Sequence, residues 1–268
     1  MEMFQLDFIQ RALVAGMAIA VITPILGLLL ILRRQSLMAD TLAHVSLAGV
    51  SLGMLWQLNP TWTTLVVVVL VAILIEYLRG IYANYSEVSI AVTMSGGMAL
   101  AFVLMSFADN ATTFKIDQFL FGSIILITKG EVVVLIGLAV VILILYLIFR
   151  KPLYVFTFDE ATAHTVGLPV RLMSTIFSVT TGVVISVMLP IVGALLVAAF
   201  LVVPSATSIL ISKSYSQSIV IGFFINFVGI VLGIMASYHL NTPPGASITL
   251  AFIIIFLLVS LGNQWVKR

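Results

Sequence analysis

The chain has 268 residues, 62% of them hydrophobic and 8% charged, with a formal net charge of +2 and a mean hydropathy of +1.27. A soluble domain carries about 25% charged residues, so this composition excludes a water-soluble globule and requires lipid as the main solvent. With no cysteine in the chain, disulfide frameworks, thiolate metal sites and thiol redox chemistry are excluded as well.

A bilayer core of about 30 Å needs about 20 apolar residues of helix. The first predicted span covers roughly 8–32, and the start MEMFQLDFIQRALVAGMAIAV lacks the basic region and small-residue cleavage site of a signal peptide. A second span follows at about 38–56 and a third, TTLVVVVLVAILIEYL, at about 63–78. The polar stretch RGIYANYSE leads to a fourth span at about 88–107. After ADNATTFKIDQ comes FLFGSIILI, too short to cross and so predicted to be re-entrant or interfacial. The fifth span is expected at about 131–149. DEATAHTVG, with acids at its start and Gly167 at its end, reads as a short helix outside the membrane. Four more spans are predicted at about 170–189, 191–211, 218–237 and 246–263. The expected fold is therefore an all-α polytopic bundle of eight or nine transmembrane helices in a single membrane domain covering 1–268.

Lys and Arg concentrate in cytoplasmic loops. With the N-terminus outside, the inner side receives Arg33, Arg34, Arg79, Arg150, Lys151, Arg171, Lys213, Lys267 and Arg268, and the outer side receives Arg11, Lys115 and Lys129. This nine-to-three split predicts N-out and C-in, with DEATAHTVG cytoplasmic and HLNTPPG outside. Basic residues at segment ends are what a membrane protein needs, so the net charge indicates no nucleic-acid partner.

Asp40 and His44 stand out within the second span. His44 lies ten residues past Arg34, about 15 Å deeper and so near the midplane. Residues four apart share one helix face. A carboxylate and an imidazole on a wet face can bind Zn²⁺ or Mn²⁺. An intramembrane ionisable pair is a functional candidate by default, although a local hydrogen bond tying two helices together also explains it. Glu87 opens the fourth span, where an acid complements the helix dipole or serves as a pathway ligand. Glu76 and Arg79, three apart, read as an interfacial ion pair. His239 precedes Pro243, Pro244 and Gly245, either solvated or at the mouth of a pathway. Small residues (Gly193, Ala194, Ala198, Ala199, Ser205, Ala206, Ser208) and Pro204 give the seventh span thin faces and a kink, which suits a channel-lining hinge or ordinary tight packing. The chain has no Walker A loop, Gly-rich strand–helix fingerprint or hydrolase elbow, so no catalytic residue is assigned and enzymatic chemistry is not expected.

SLMADTLAHVSLAGVSLG at 36–53, QFLFGSI at 118–124, FDEATAHTVGLP at 158–169 and PIVGALLVAAFLVVPSATS at 190–208 together resemble the ABC-3 family of membrane permeases from bacterial zinc, manganese and iron importers. The likeness is greatest to zinc-uptake permeases of Gram-positive bacteria. The resemblance implies a type II importer-like fold in a bacterial plasma membrane and a homodimer. It further implies two cytoplasmic ATP-binding subunits and an extracellular metal-binding lipoprotein. Under that resemblance Asp40 and His44 are the metal-pathway pair. Asp159, Glu160, Ala161 and Gly167 belong to the coupling helix that docks on the ATPase. Zinc or manganese is then a transported ion rather than a resident cofactor. Two rivals remain at this stage: a secondary transporter or channel that needs no ATPase, and a permease for a metal chelate. The run PSATS departs from the family's more alanine-rich pattern, adding hydroxyls and removing no ligand.

Overall fold

The computed structural model describes residues 7–82, 86–107, 119–120, 122, 124 and 127–266. Among them are ten helices of six residues or more, which we number in chain order. These are α1 (Asp7–Leu32), α2 (Ser36–Leu55), α3 (Pro60–Ile81), α4 (Ser86–Ser106), α5 (Lys129–Phe158), α6 (Glu160–Thr165), α7 (Val170–Val192), α8 (Ala194–Ile211), α9 (Tyr215–Leu240) and α10 (Pro244–Val266). Nine of them, all but α6, are long and apolar enough to cross a membrane. The expected all-α membrane bundle is what the chain forms.

Local chemistry sets the boundaries. Asn59 caps α3 by accepting from the Thr61 N–H, and Pro60 follows at the first helical position. Thr128 and Glu131 form a capping box at the start of α5: the Thr128 N–H and hydroxyl both donate to Glu131 Oε2 at 2.8 Å, and the Glu131 N–H donates back at 3.3 Å. Two boundaries differ from the hydropathy reading. α5 continues through Pro152 to Phe158 instead of stopping near 149. At ~1.5 Å per residue its 30 residues reach about 45 Å, well beyond a bilayer core. α7 runs past Pro190 to Val192, and the break falls at Gly193 with φ +92. Proline hinders a helix only through its own missing N–H and ring, whereas the positive φ at Gly193 ends it outright.

The chain divides into two compact units. Unit 1 comprises residues 1–36, 123–157 and 199–268. Here α1 packs on α9 and α9 on α10, through glycines that let the backbones approach. A Cβ on Gly16 would lie 2.7 Å from Ile230 Cγ2, and one on Gly233 would lie 2.4 Å from the Ile248 Cα. The Arg33 guanidinium sits over the Phe156 ring at 3.6 Å and its Nη1 donates to the Phe156 carbonyl at 3.3 Å.

Unit 2 comprises residues 37–122 and 158–198. α3 packs on α7 around Gly182, with Glu76 Oε2 accepting from Arg79 Nη1 at 3.0 Å and from Ser178 Oγ at 3.1 Å. The expected Glu76–Arg79 ion pair is thus present, extended to a neighbouring helix. α2 meets α3 backbone to backbone, because a Cβ on Gly49 would lie 2.6 Å from the Thr64 Cα. α2 meets α4 where Val45 fills the space beside Gly97. A core of Leu47, Ala48, Val50, Ala101, Leu189 and Ala194 joins α2, α4, α7 and the start of α8. Phe119 and Leu120 pack against it. The rest of the predicted re-entrant piece lies largely outside the described residues.

Candidate functional site

α2 is one of the most enclosed spans, with 72% of its apolar window buried against 17% for α10. Between Met38 and Ser51 every residue of α2 is buried except two, Asp40 and His44. The only openings along this stretch therefore coincide with its only ionisable side chains. The Asp40 side chain is 35% exposed and that of His44 is 13% exposed, with Asp40 Oδ1 3.5 Å from His44 Nε2. That distance is at the far limit of a hydrogen bond. The pair is brought together by its four-residue spacing, as the sequence predicts, but is not locked by a short contact. His44 Nδ1 is buried and has no hydrogen-bond partner.

Two further polar atoms of the same unit share that condition: Thr64 Oγ1 on α3 and Ser89 Oγ on α4 are buried without a partner. A buried hydroxyl normally finds an acceptor, so each is an exception that needs a reason. Ser89, Thr93 and Gly97 are four apart and lie on one face of α4, and Gly97 is the residue that abuts Val45, next to His44. α4 contributes small polar groups to this region that hydropathy reading passes over. The signal was there as a serine–threonine–glycine stripe at helical spacing. Among the described residues no three side chains of His, Cys, Asp and Glu come together. Asp40 and His44 thus stand as a partly exposed pair, with unpartnered hydroxyls on the neighbouring helices α3 and α4.

The remaining candidates are distributed elsewhere. Glu87 is exposed in the first turn of α4, which agrees with a dipole-complementing acid. His239 is exposed at the end of α9, edge-on to its neighbour Tyr238. Pro204 sits inside α8.

The short helix α6 is built by its caps. Asp159 is its N-cap, with Oδ1 accepting from the Thr162 N–H at 2.9 Å and Oδ2 from the Thr162 hydroxyl. Those bonds, the hydroxyl first and the backbone N–H second, hold the Asp159 carboxyl below the usual carboxylate range. At the other end Gly167 has φ +83, its N–H donates to the His164 carbonyl at 3.1 Å, and the Leu168 N–H reaches the Ala163 carbonyl at 3.0 Å. This is a Schellman termination, and the positive φ is why glycine stands there. Only Ala163 of α6 is buried. Glu160, Ala161, His164 and Val166 are exposed, Val166 by 71%.

The chain is similar to known proteins over nearly its whole length. The profile of the ABC 3 transport family matches residues 5–263. A probable metal transport system membrane protein of Treponema pallidum is 32% identical over 263 residues, 98% of each chain. The manganese import system permease protein ScaB of Streptococcus gordonii is 30% identical, covering 97% of this chain and 94% of its own. The high-affinity zinc uptake system membrane protein ZnuB of Buchnera aphidicola is 26% identical, covering 95% and 98%. Among solved structures, PsaBC from Streptococcus pneumoniae in complex with Fab superposes with a TM-score of 0.84 at 30% identity, covering 96% of this chain and 93% of the matched one.

Proposed function

We propose that this chain, which belongs to the ABC 3 transport family, is the membrane permease of an ATP-driven importer for a divalent transition metal, zinc in the first instance. The observation that carries this reading is the pair of openings on α2, at Asp40 and His44, in an otherwise buried stretch. Hydrocarbon rejects a bare cation, so transport needs a polar station that replaces water ligands near the midplane.

The 3.5 Å between Asp40 Oδ1 and His44 Nε2 lets one ion reach both atoms. Zinc is placed first because an imidazole beside a carboxylate suits it. Manganese is the second reading, favoured by the description of the Streptococcus gordonii relative. The station is built for transit. It supplies two protein ligands where a closed structural zinc site supplies four. His44 Nδ1 lacks the acceptor that normally raises a metal-bound imidazole's basicity. Both features weaken binding and ease release.

In the proposed cycle a homodimer of this chain accepts the ion at the outer face from a metal-binding lipoprotein. The ion passes Asp40 and His44 and leaves when two cytoplasmic ATP-binding subunits drive reorientation. α6 is the proposed docking element, since it is capped at both ends and buries only Ala163. Hydrolysis belongs to the partner subunits, and this chain is not itself an enzyme. The termini are assigned as N-out and C-in, in a bacterial plasma membrane, from the distribution of Lys and Arg.

The test is uptake of radiolabelled zinc and manganese by cells carrying the chain with its native partner subunits. Asp40→Ala and His44→Ala are each expected to abolish uptake with protein still in the membrane. Uptake that survives both substitutions would point to a chelate pathway. Uptake in vesicles without any ATPase subunit would point to a secondary transporter. Either result overturns the reading.

A further inference from the structure

We infer that Asn226 is a positioning residue for transport: it stands in for the amide that Pro204 removes from α8, and so holds α8 to α1 and α9 of the same unit at the proline.

Pro204 lies inside α8. It has no N–H, so the carbonyl of Phe200, four residues earlier, is left without its helical donor. Asn226 Nδ2 on α9 donates to that carbonyl at 3.3 Å. The second N–H of the same amide goes to Thr23 Oγ1. Thr23 can accept because its own hydroxyl proton is committed to the Ile19 carbonyl at 2.8 Å. Asn226 is fully buried, both donors are used, and Oδ1 has no partner. A buried amide with an idle acceptor is present for its donors.

The surroundings hold the same carbonyl in place. The Phe200 ring meets Phe252 of α10 edge to face, with centroids 5.1 Å apart. Gly229 makes room for that ring, since a Cβ there would lie 2.3 Å from Phe252 Cε1. Gly222, one turn before Asn226, admits Pro24 of α1, with a Cβ falling 2.9 Å from the Pro24 Cβ. α1 and α8, each with a proline in its interior, are therefore joined through one amide of α9.

Pro204 lies in the interior of α8, which is continuous from Ala194 to Ile211. The carbonyl it frees therefore falls within a membrane span, where water cannot pair it and a partner from a neighbouring helix must. Without the Asn226 amide that carbonyl is unpaired and α8 is free to flex at the proline.

The link to uptake rests on the metal-permease reading; the bond to the Phe200 carbonyl does not. The experiment is a double-substitution cycle in the complete transporter, expressed with its native partner subunits. It uses Asn226→Leu, Pro204→Ala and both together, reading melting temperature, zinc and manganese uptake, and ATPase rate. Asn226→Leu is expected to lower the melting temperature by several degrees. Uptake is expected to fall at least tenfold while ATPase rate stays within twofold, an uncoupling that a merely structural role would not produce. Pro204→Ala returns an N–H to the Phe200 carbonyl, so the double variant is expected to recover both melting temperature and uptake to within twofold of Pro204→Ala alone. Absence of that rescue overturns the assignment. If Asn226→Leu does not accumulate, Asn226→Ser replaces it, and recovery of its membrane level by Pro204→Ala is read by the same rule. A wild-type transporter that takes up neither metal sinks the permease reading and the role in transport, while the rescue in melting temperature still decides the bond to Phe200.

Discussion

Gly49→Ala and Gly137→Ala are the same chemical change on two transmembrane helices, and the structure predicts opposite outcomes. A methyl on Gly49 would lie 2.6 Å from the Thr64 Cα, 3.2 Å from its N and 3.3 Å from the Thr63 carbonyl oxygen. All three are backbone atoms, which no rotamer change can move. Ordinary contact needs about 3.6 Å, so α2 must retreat from α3 by roughly 1 Å, an overpacking strain of about 1–3 kcal/mol. The gain in helix propensity, about 1 kcal/mol for Gly to Ala, offsets part of it. The net effect is a loss of up to about 2 kcal/mol, a fall in melting temperature of up to roughly 8 °C for a chain of this size. Gly137 on α5 has no atom within 4 Å of an added methyl. Its propensity gain is unopposed, giving a rise of roughly 2–4 °C. Thermal unfolding of the purified permease in one detergent reads both, and metal uptake adds the functional arm. Gly49 is five residues past His44 on the same helix, so uptake should fall severalfold in Gly49→Ala and stay unchanged in Gly137→Ala. Shifts of the same sign would refute the close approach of α2 to α3.

Within the candidate site, His44→Ala and Asp40→Asn are expected to reduce zinc uptake at least a hundredfold with normal membrane levels, measured as initial rates at limiting metal. At α6, Asp159→Ala removes the acceptor for the Thr162 hydroxyl and N–H, so amide exchange across 160–168 should accelerate. The carboxyl's range is depressed, so the cap is intact above the ordinary carboxylate range. It is lost only as pH falls below that range and through the depressed one, and the exchange of wild type and variant should converge under acid. Val166→Glu places a charge on the most exposed apolar side chain beside α6. It should prevent co-purification of the ATP-binding subunit while leaving the melting temperature of the permease within about 1 °C, and retained association would count against α6 as the docking element.

Much of the fold was legible because hydropathy reports the solvent directly. All nine predicted spans appear at nearly their predicted positions, and the DEATAHTVG reading found α6 with both of its caps. The misplaced boundaries share a cause. Pro152 and Pro190 look like stops in a sequence, but each lies within a helix that other contacts sustain, while the stop after α7 came from the conformational freedom of Gly193. Asp40 and His44 were legible because a charge in an apolar run is conspicuous and a four-residue spacing fixes a shared face. Thr64, Ser89 and Asn226 were not. Serine, threonine and asparagine are common in membrane helices, and their meaning lies in having no partner, or one particular partner, after packing. Which helix lies against which is decided by glycines such as Gly49, Gly97 and Gly229, whose fit to Thr64, Val45 and Phe252 no periodicity reports.

The length of α5 has a consequence for the lipid. From Lys129 to Arg150 the helix rises about 32 Å, roughly one hydrocarbon thickness, and the final eight residues add about 12 Å of stalk. Arg150 and Lys151 therefore fall at headgroup level, where anionic lipid holds cations. How far the stalk stands out of the bilayer is then a property of acyl-chain length as much as of the protein. Reconstitution in longer-chain lipids would submerge the stalk, so bilayer thickness becomes a variable that no residue of the chain encodes.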